Sequence, residues 1–245
     1  MILSTAVLSV LLPAVLALPI PDLSSLIADL ESFEATPGSS PIEALEAIFG
    51  NIHADNASEA TATPVVVDRN ELIDGHCNDI IVIFARGTTE PGNVGGSVGP
   101  SFFDALATLE PERVVVQGVD YPADILGYLQ GGSDSGASNM AYLVGLAASQ
   151  CPDSKIVLSG YSQGAQVTHK AAKEIPAPLH PKVAAIVLFG DPNNRLPFPG
   201  TLDDNVKTFC REGDFICLGL PILNEAHLQY GDDALEAAAY VAERV

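Results

Sequence analysis

The chain has 245 residues, with 31 acidic against 11 basic side chains and a net charge of −20. A surface this negative repels nucleic-acid phosphates and anionic lipid, so it excludes both as partners and points to a neutral substrate. With 47% hydrophobic residues the chain can build a real core, and its length allows one domain plus processing segments.

Met1 to Ala17 (MILSTAVLSVLLPAVLA) is an almost unbroken apolar run ending in small residues. Val15 and Ala17 fit the small-residue cleavage rule, and the run falls short of the roughly 20 apolar residues of a spanning helix. Residues 1–17 therefore read as a signal peptide, and the rest of the chain is expected to be exported, soluble and extracellular, with no membrane span. In an oxidising compartment the four cysteines read as disulfides. Four thiols permit three pairings, and no spacing is the C-x-x-C of a zinc or redox site, so no metal is expected. Residues 18–70 are acidic, rich in Ala, Ser, Pro and Thr, and hold no Lys or Arg before Arg69. They read as a pro-segment or flexible lead-in. Asn56-Ala57-Ser58 lies there and makes Asn56 a candidate glycosylation site.

From Glu71 onward, short apolar runs rich in β-branched residues alternate with helix-length segments and Gly/Pro turns. That alternation predicts a parallel sheet covered on both faces. Strands are expected over Ile80 to Phe84, Val114 to Val119, Lys155 to Ser159, Val183 to Phe189 and Val206 to Phe209. Helices are expected over Pro100 to Leu109, Ala137 to Gln150, Gln163 to Lys173 and Asp233 to Val245. The fold class is thus α/β, a three-layer α/β/α sandwich with a central five-stranded parallel sheet, spanning residues 71–245.

Gly160-Tyr161-Ser162-Gln163-Gly164 follows the strand Ile156 to Ser159 and opens an Ala-rich helical run. This is G-x-S-x-G in the strand-turn-helix setting that exposes a serine at the carboxyl end of a sheet, with the N–H of Gln163 facing a developing oxyanion. Ser162 is the candidate nucleophile. A serine hydroxyl needs a base, and the chain has five histidines. His53 lies in the lead-in, His76 precedes the first strand, His169 lies within the nucleophile helix and His180 sits between prolines. Only His227 comes late enough for the order serine, acid, histidine. Two acids end strands between them, Asp191 and Asp214. Spacing leaves both open, and a bridge pinning Cys210 to Cys217 around Asp214 would favour the latter.

Several runs together make the region from about Cys77 to Val245 resemble the fungal cutinase family, which also includes acetylxylan esterases. They are Ala85-Arg86-Gly87-Thr88-Thr89-Glu90, Gly92-Asn93-Val94-Gly95, the nucleophile pentapeptide, Cys210 through Gly213-Asp214 to Cys217, and His227-Leu228-Gln229-Tyr230-Gly231. The resemblance implies a triad of Ser162, Asp214 and His227, disulfides Cys77–Cys151 and Cys210–Cys217, and an oxyanion hole made by Gln163 and Thr88. It also implies apolar loops without a large lid, for which Leu218 to Leu223 and Ile125 to Tyr128 are the candidates. Gly92 to Gly99 fits neither G-x-G-x-x-G nor a phosphate loop, so no nucleotide or other cofactor is expected. The expected function is a secreted, monomeric carboxylic ester hydrolase acting on cutin-like polyesters and short to medium acyl esters. Deacetylation of xylan is the nearest alternative. A peptidase with the same triad and a non-catalytic surface or effector protein on the same fold are the alternatives from other classes.

Overall fold

The computed structural model describes residues 65–245; the expected signal peptide, most of the lead-in and Asn56 lie outside the described residues. Runs such as Ile80-Ile81-Val82-Ile83-Phe84-Ala85 have no polar face to turn to water, so they fold only where both sides are covered. β1 (Ile80–Ala85) is accordingly buried at every position. It pairs in parallel with β2 (Val114–Gly118) on one side and β3 (Lys155–Tyr161) on the other. β4 (Val183–Phe189) and β5 (Val206–Phe209) extend the parallel sheet to the order β2-β1-β3-β4-β5.

Among the described residues five α-helices accompany these strands: α1 (Gly99–Leu109), α2 (Ile125–Leu129), α3 (Asp134–Gln150), α4 (Gln163–Glu174) and α5 (Ala234–Ala242). Because successive strand residues point to opposite faces, β1 divides between two cores. Ile81 and Ile83 pack with Leu158 and with Met140, Leu143 and Val144 of α3 and Val167 of α4. Ile80, Val82 and Phe84 pack with Phe189, Phe102 and Leu106 of α1, and Ala237 and Val241 of α5. Phe102 meets Phe189 edge-on at 5.6 Å. This is the three-layer α/β/α sandwich expected from the sequence.

The element ends differ from expectation for local reasons. β3 runs on through Gly160 and Tyr161, which pair with Leu188 and Phe189. α3 starts at Asp134 rather than Ala137, because the Ser133 hydroxyl caps it by accepting from Gly136 N. α2 is a single extra turn, capped by Asp124 Oδ1 accepting from Gly127 N at 2.7 Å. The chain also engages the sheet before Glu71. Asn93 N and Val94 N donate to Val67 O (2.9 and 3.0 Å), Gly118 N donates to Arg69 O (2.8 Å), and Asn70 forms an antiparallel bridge with Gln117. The last two contacts cover part of the otherwise open edge of β2.

The strand order reverses between β1 and β3, and in open parallel sheets the crevice at such a reversal, outside the carboxyl ends, is where ligands bind. The segments leaving those ends are Arg86–Glu90 and Ser162. Two disulfides tie the periphery, Cys77–Cys151 and Cys210–Cys217, with sequence separations of 74 and 7. They fit an extracellular location. The longer loop restricts the unfolded chain more, by about 4 kcal/mol in the chain-entropy treatment. The Cys77→Ala/Cys151→Ala protein is therefore expected to melt about 10 °C lower. A midpoint shift under about 2 °C by calorimetry would show that this bridge does not constrain the unfolded chain as described.

Candidate active site

Ser162 stands between β3 and α4 with φ 56 and ψ −117, a backbone conformation that L residues rarely adopt. The turn is tight enough to require glycine on both sides. A Cβ on Gly160 would lie 2.3 Å from Gly164 O, and one on Gly164 only 1.9 Å from Ala85 O at the end of β1. Ser162 N donates to Phe189 O at 2.9 Å, which fixes the turn to β4.

The other two candidate triad residues both lie beyond β5, and the structure brings them together. His227 Nδ1 meets Asp214 Oδ2 at 2.8 Å, and both side chains are buried. A carboxylate only accepts, so Nδ1 carries the proton and Nε2 keeps its lone pair in the neutral ring. His227 Nε2 is buried with no hydrogen-bond partner. The imidazole is held by the residue beside Ser162: the Tyr161 ring stacks on it at 5.2 Å, and Tyr161 Oη donates to His227 O at 2.9 Å. Its opposite neighbour is Gly190 (φ +55), where a Cβ would come within 2.6 Å of His227 Cε1.

Asp214 accepts from three donors: His227 Nδ1, Tyr230 Oη at 2.6 Å and Ile216 N at 2.9 Å. Burial, the largest influence, pushes its carboxyl up, yet the hydrogen bonds and charge of His227, with Tyr230 and Ile216, outweigh it and leave the pKa lowered. Tyr230 is itself oriented by Arg211 N, which donates to its oxygen at 3.0 Å. Burial and then the Asp214 bond push the Tyr230 phenol well up, so it stays a neutral donor. Asp191, the other strand-end acid, is directed elsewhere, its Oδ2 lying 2.8 Å from His169 Nε2.

On the far side of Ser162, Gln163 Nε2 donates to Thr88 Oγ1 (3.0 Å) and to Asp124 O (2.8 Å). The Asp124 carbonyl fixes which end of the amide faces it, so Thr88 Oγ1 accepts and its own proton is free to point outward. The Thr88 loop is secured by Glu90, buried beneath it, which accepts from Gly87 N (2.7 Å), Gly96 N (3.2 Å), Ser97 N (3.0 Å) and the Ser97 hydroxyl. Arg86 adds Nε to Glu90 O (2.7 Å) and Nη2 to Tyr121 O (2.9 Å). Apolar side chains are exposed in and beside both runs expected to form walls. Leu126 and Leu129 of α2 and Leu218 beyond Cys217 are 49%, 56% and 56% exposed. Burial, with the Asp214 charge adding to it, pushes the Tyr128 phenol up to about 12.

Tyr161, Tyr230 and Glu90 were given no role by sequence reasoning, although all three lie in the runs that carry the family resemblance. What marks them is a buried polar atom bonded to groups distant in the chain, visible only once their neighbours are placed.

A parallel α/β sandwich with a strained serine turn and a buried Asp–His pair is the arrangement of a serine hydrolase. The family profile described as Cutinase matches residues 76–245. A cutinase of Botryotinia fuckeliana is 49% identical over 166 residues, covering 67% of this chain and 82% of that protein. A cutinase of Coprinopsis cinerea is 45% identical over 190 residues, covering 77% and 94%. Among solved structures, Trichoderma reesei cutinase with a phosphonate inhibitor superposes with TM-score 0.74 at 36% identity, covering 91% of this chain and 98% of that one. The catalytic core of an acetyl xylan esterase from Trichoderma reesei shares the fold, with TM-score 0.54 at 21% identity, covering 69% and 100%. The chain belongs to the cutinase family and is a serine esterase, a hydrolase of carboxylic esters.

Two substitutions test the acid side of this geometry. Asp214→Asn is expected to lower kcat by about 10⁴, far more than Asp191→Asn, because only Asp214 sets the His227 tautomer; steady-state rates ranked the other way would make Asp191 the acid. Tyr230→Phe removes one charge-assisted hydrogen bond and is expected to lower kcat about tenfold at unchanged KM. A kcat within about twofold of the parent would show that the two remaining donors suffice.

Proposed function

We propose that this protein is a secreted cutinase that cleaves cutin-like polyesters and short to medium acyl esters through an acyl-enzyme on Ser162. The observation that carries this reading is the chain of hydrogen bonds from Tyr230 through Asp214 to His227, which ends on an Nε2 claimed by nothing else, beside the turn that presents Ser162.

In the reaction, His227 Nε2 takes the Ser162 proton as Oγ attacks the ester carbonyl carbon, and Asp214 steadies the imidazolium. The oxyanion receives the Gln163 N–H, unpaired because it opens α4, and the free Thr88 hydroxyl proton. Collapse expels the alcohol, protonated by His227. Water then gives a proton to the same nitrogen, attacks the acyl carbon and releases the carboxylic acid and Ser162. No cofactor enters these steps. The exposed Leu126, Leu129 and Leu218 favour an apolar acyl or polyester substrate over an acetylated polysaccharide. Residues 1–17 would direct export, and the lead-in would carry any glycan at Asn56.

The test is an acyl-length series of p-nitrophenyl esters run beside a polyester film and acetylated xylan, with Ser162→Ala as control. Film hydrolysis and faster turnover of butyrate or longer esters than acetate are expected, together with a Ser162→Ala loss of several orders of magnitude in kcat. A folded Ser162→Ala protein keeping more than about a hundredth of kcat would remove Ser162 from the mechanism. Faster release of acetate from xylan than of acid from the film would replace the polyester reading with a deacetylase.

A further inference from the structure

The proposed chemistry leaves one buried pair of titratable side chains unused, His169 and Asp191. Asp191 is wholly buried and His169 is 5% exposed, with Nε2 and Oδ2 2.8 Å apart. Since an ionised carboxylate only accepts, His169 Nε2–H donates to Asp191. The other carboxylate oxygen accepts from Asn193 N at 2.8 Å. The ring of His169 stacks on Phe198 at 4.2 Å, so the histidine grips the segment after β4 at two points.

That segment meets His227 directly and is tied to the elements that carry Ser162 and Asp214. His169 belongs to α4, the helix that Ser162 opens. Asp191 follows Gly190 directly, and Gly190 is the backbone floor against which His227 lies, with no room for a Cβ at 2.6 Å from Cε1 and 2.8 Å from Nδ1. Three residues further on, Asn194 Nδ2 donates to Cys217 O at 3.0 Å, reaching the loop that carries Asp214. The backbone bonds at the strand end are Gly190 N to Phe209 O at 2.9 Å and Ser162 N to Phe189 O at 2.9 Å. Both lie on the sheet side of the turn, and neither stops residues 191–194 from swinging outward.

We propose that His169 and Asp191 form a positioning pair. Their hydrogen bond locks the turn after β4 to the nucleophile helix, and thereby fixes the floor under His227 and the anchor of the acid loop relative to Ser162. Neither side chain touches substrate or takes part in proton transfer. This inference rests on the triad assigned above.

The decisive comparison is His169→Leu, which keeps bulk and loses the donor, against His169→Gln, whose Nε2 mimics that of the imidazole. Each is assayed for kcat and KM on p-nitrophenyl butyrate, for the rate of inactivation by a p-nitrophenyl phosphonate, and for thermal midpoint. All rates are taken at a temperature where the variant is fully folded. Small misplacements remote from the chemistry reduce rates by up to about 100-fold. His169→Leu is expected to lower kcat and the inactivation rate together by about 10- to 100-fold with KM unchanged, and His169→Gln to recover most of both. Should His169→Leu not fold, Asp191→Asn carries the comparison, with about a tenfold loss expected in the same two rates. Rates within about twofold of the parent in a folded His169→Leu or Asp191→Asn protein, with only the thermal midpoint lowered, would reduce the pair to packing. A His169→Gln protein as slow as His169→Leu would also overturn the proposal, since the donated bond would then not be the agent. Ser162→Ala, assayed alongside, separates the two levels: residual activity there refutes the triad itself, whereas dead Ser162→Ala with fast His169 variants refutes the positioning pair alone.

Discussion

The constraint on which the site depends is the backbone at Ser162, held at φ 56 where β3 turns into α4. A non-glycine residue in such a conformation costs about 1–3 kcal/mol and persists only when its surroundings over-determine it. Here the surroundings are the β1 and β4 strand ends. Gly164 packs so closely on the Ala85 carbonyl that helix and sheet cannot separate to relax the turn, and Phe189 O holds Ser162 N from the other side. Four non-glycine residues among those described have positive φ: Thr89, Glu112, Ala123 and Ser162. Thr89 and Ala123 are bonded to each other, Thr89 N to Ala123 O at 2.8 Å, and both adjoin groups that contact the Gln163 side chain. Unfavourable backbone is therefore concentrated around the crevice between β1 and β3, and the two flanking cores supply the stability that offsets it.

Charge is handled there by a common device. Asp214 and Glu90 are both buried carboxylates, and each is satisfied by N–H and O–H donors converging on it. The ion pairs of arginine lie outward instead. Arg113 with Asp79 and Glu110, and Arg211 with Asp232 and Asp233, are partly exposed, where such pairs contribute little. Fixed donors aimed at each of these buried carboxylates hold it in place, and among the described residues neither is salt-bridged to lysine or arginine. For Asp214 that leaves the full field of the carboxylate on His227, and for Glu90 it converts one side chain into the support of the whole Thr88 loop.

Much of this was legible in the sequence, because its signals are local. A strand such as β1 with no polar residue must be covered on both faces, and G-x-S-x-G between a strand and a helix has one structural meaning. The five strands and four of the helices follow from those rules. α2 did not, since five residues show no periodicity and its cap, Asp124, reads as an ordinary loop acid. The choice between Asp191 and Asp214 was open for a related reason. Both end strands, and what separates them is which histidine each meets across the fold: His169 from two turns into α4, or His227 from beyond β5. Tyr230 was quoted for its family resemblance but its role depends on a phenol reaching Asp214 across 16 positions of chain. Sequence spacing carries no such distance.

The two halves of the site are built to different standards of regularity. Ser162 and Thr88 leave the ends of central strands. Asp214 and His227 follow β5, an edge strand of four residues, and between Cys210 and Leu228 the chain forms only short 3-10 turns at Ile216–Leu218 and Glu225–Leu228. Backbone pairing cannot hold such a segment, and discrete links take its place: the Cys210–Cys217 bridge, Asn194 Nδ2 on Cys217 O, Asn224 Nδ2 on Gly213 O at 2.7 Å, and Asn224 capping His227 N. Each link fixes a point of the segment. Leu218 projects from that segment, and Leu126 from the single turn of α2 opposite. Leu218 and Leu126 thus sit on short local turns of backbone, while His227 and Asp214 are held by Tyr161, Gly190 and Tyr230.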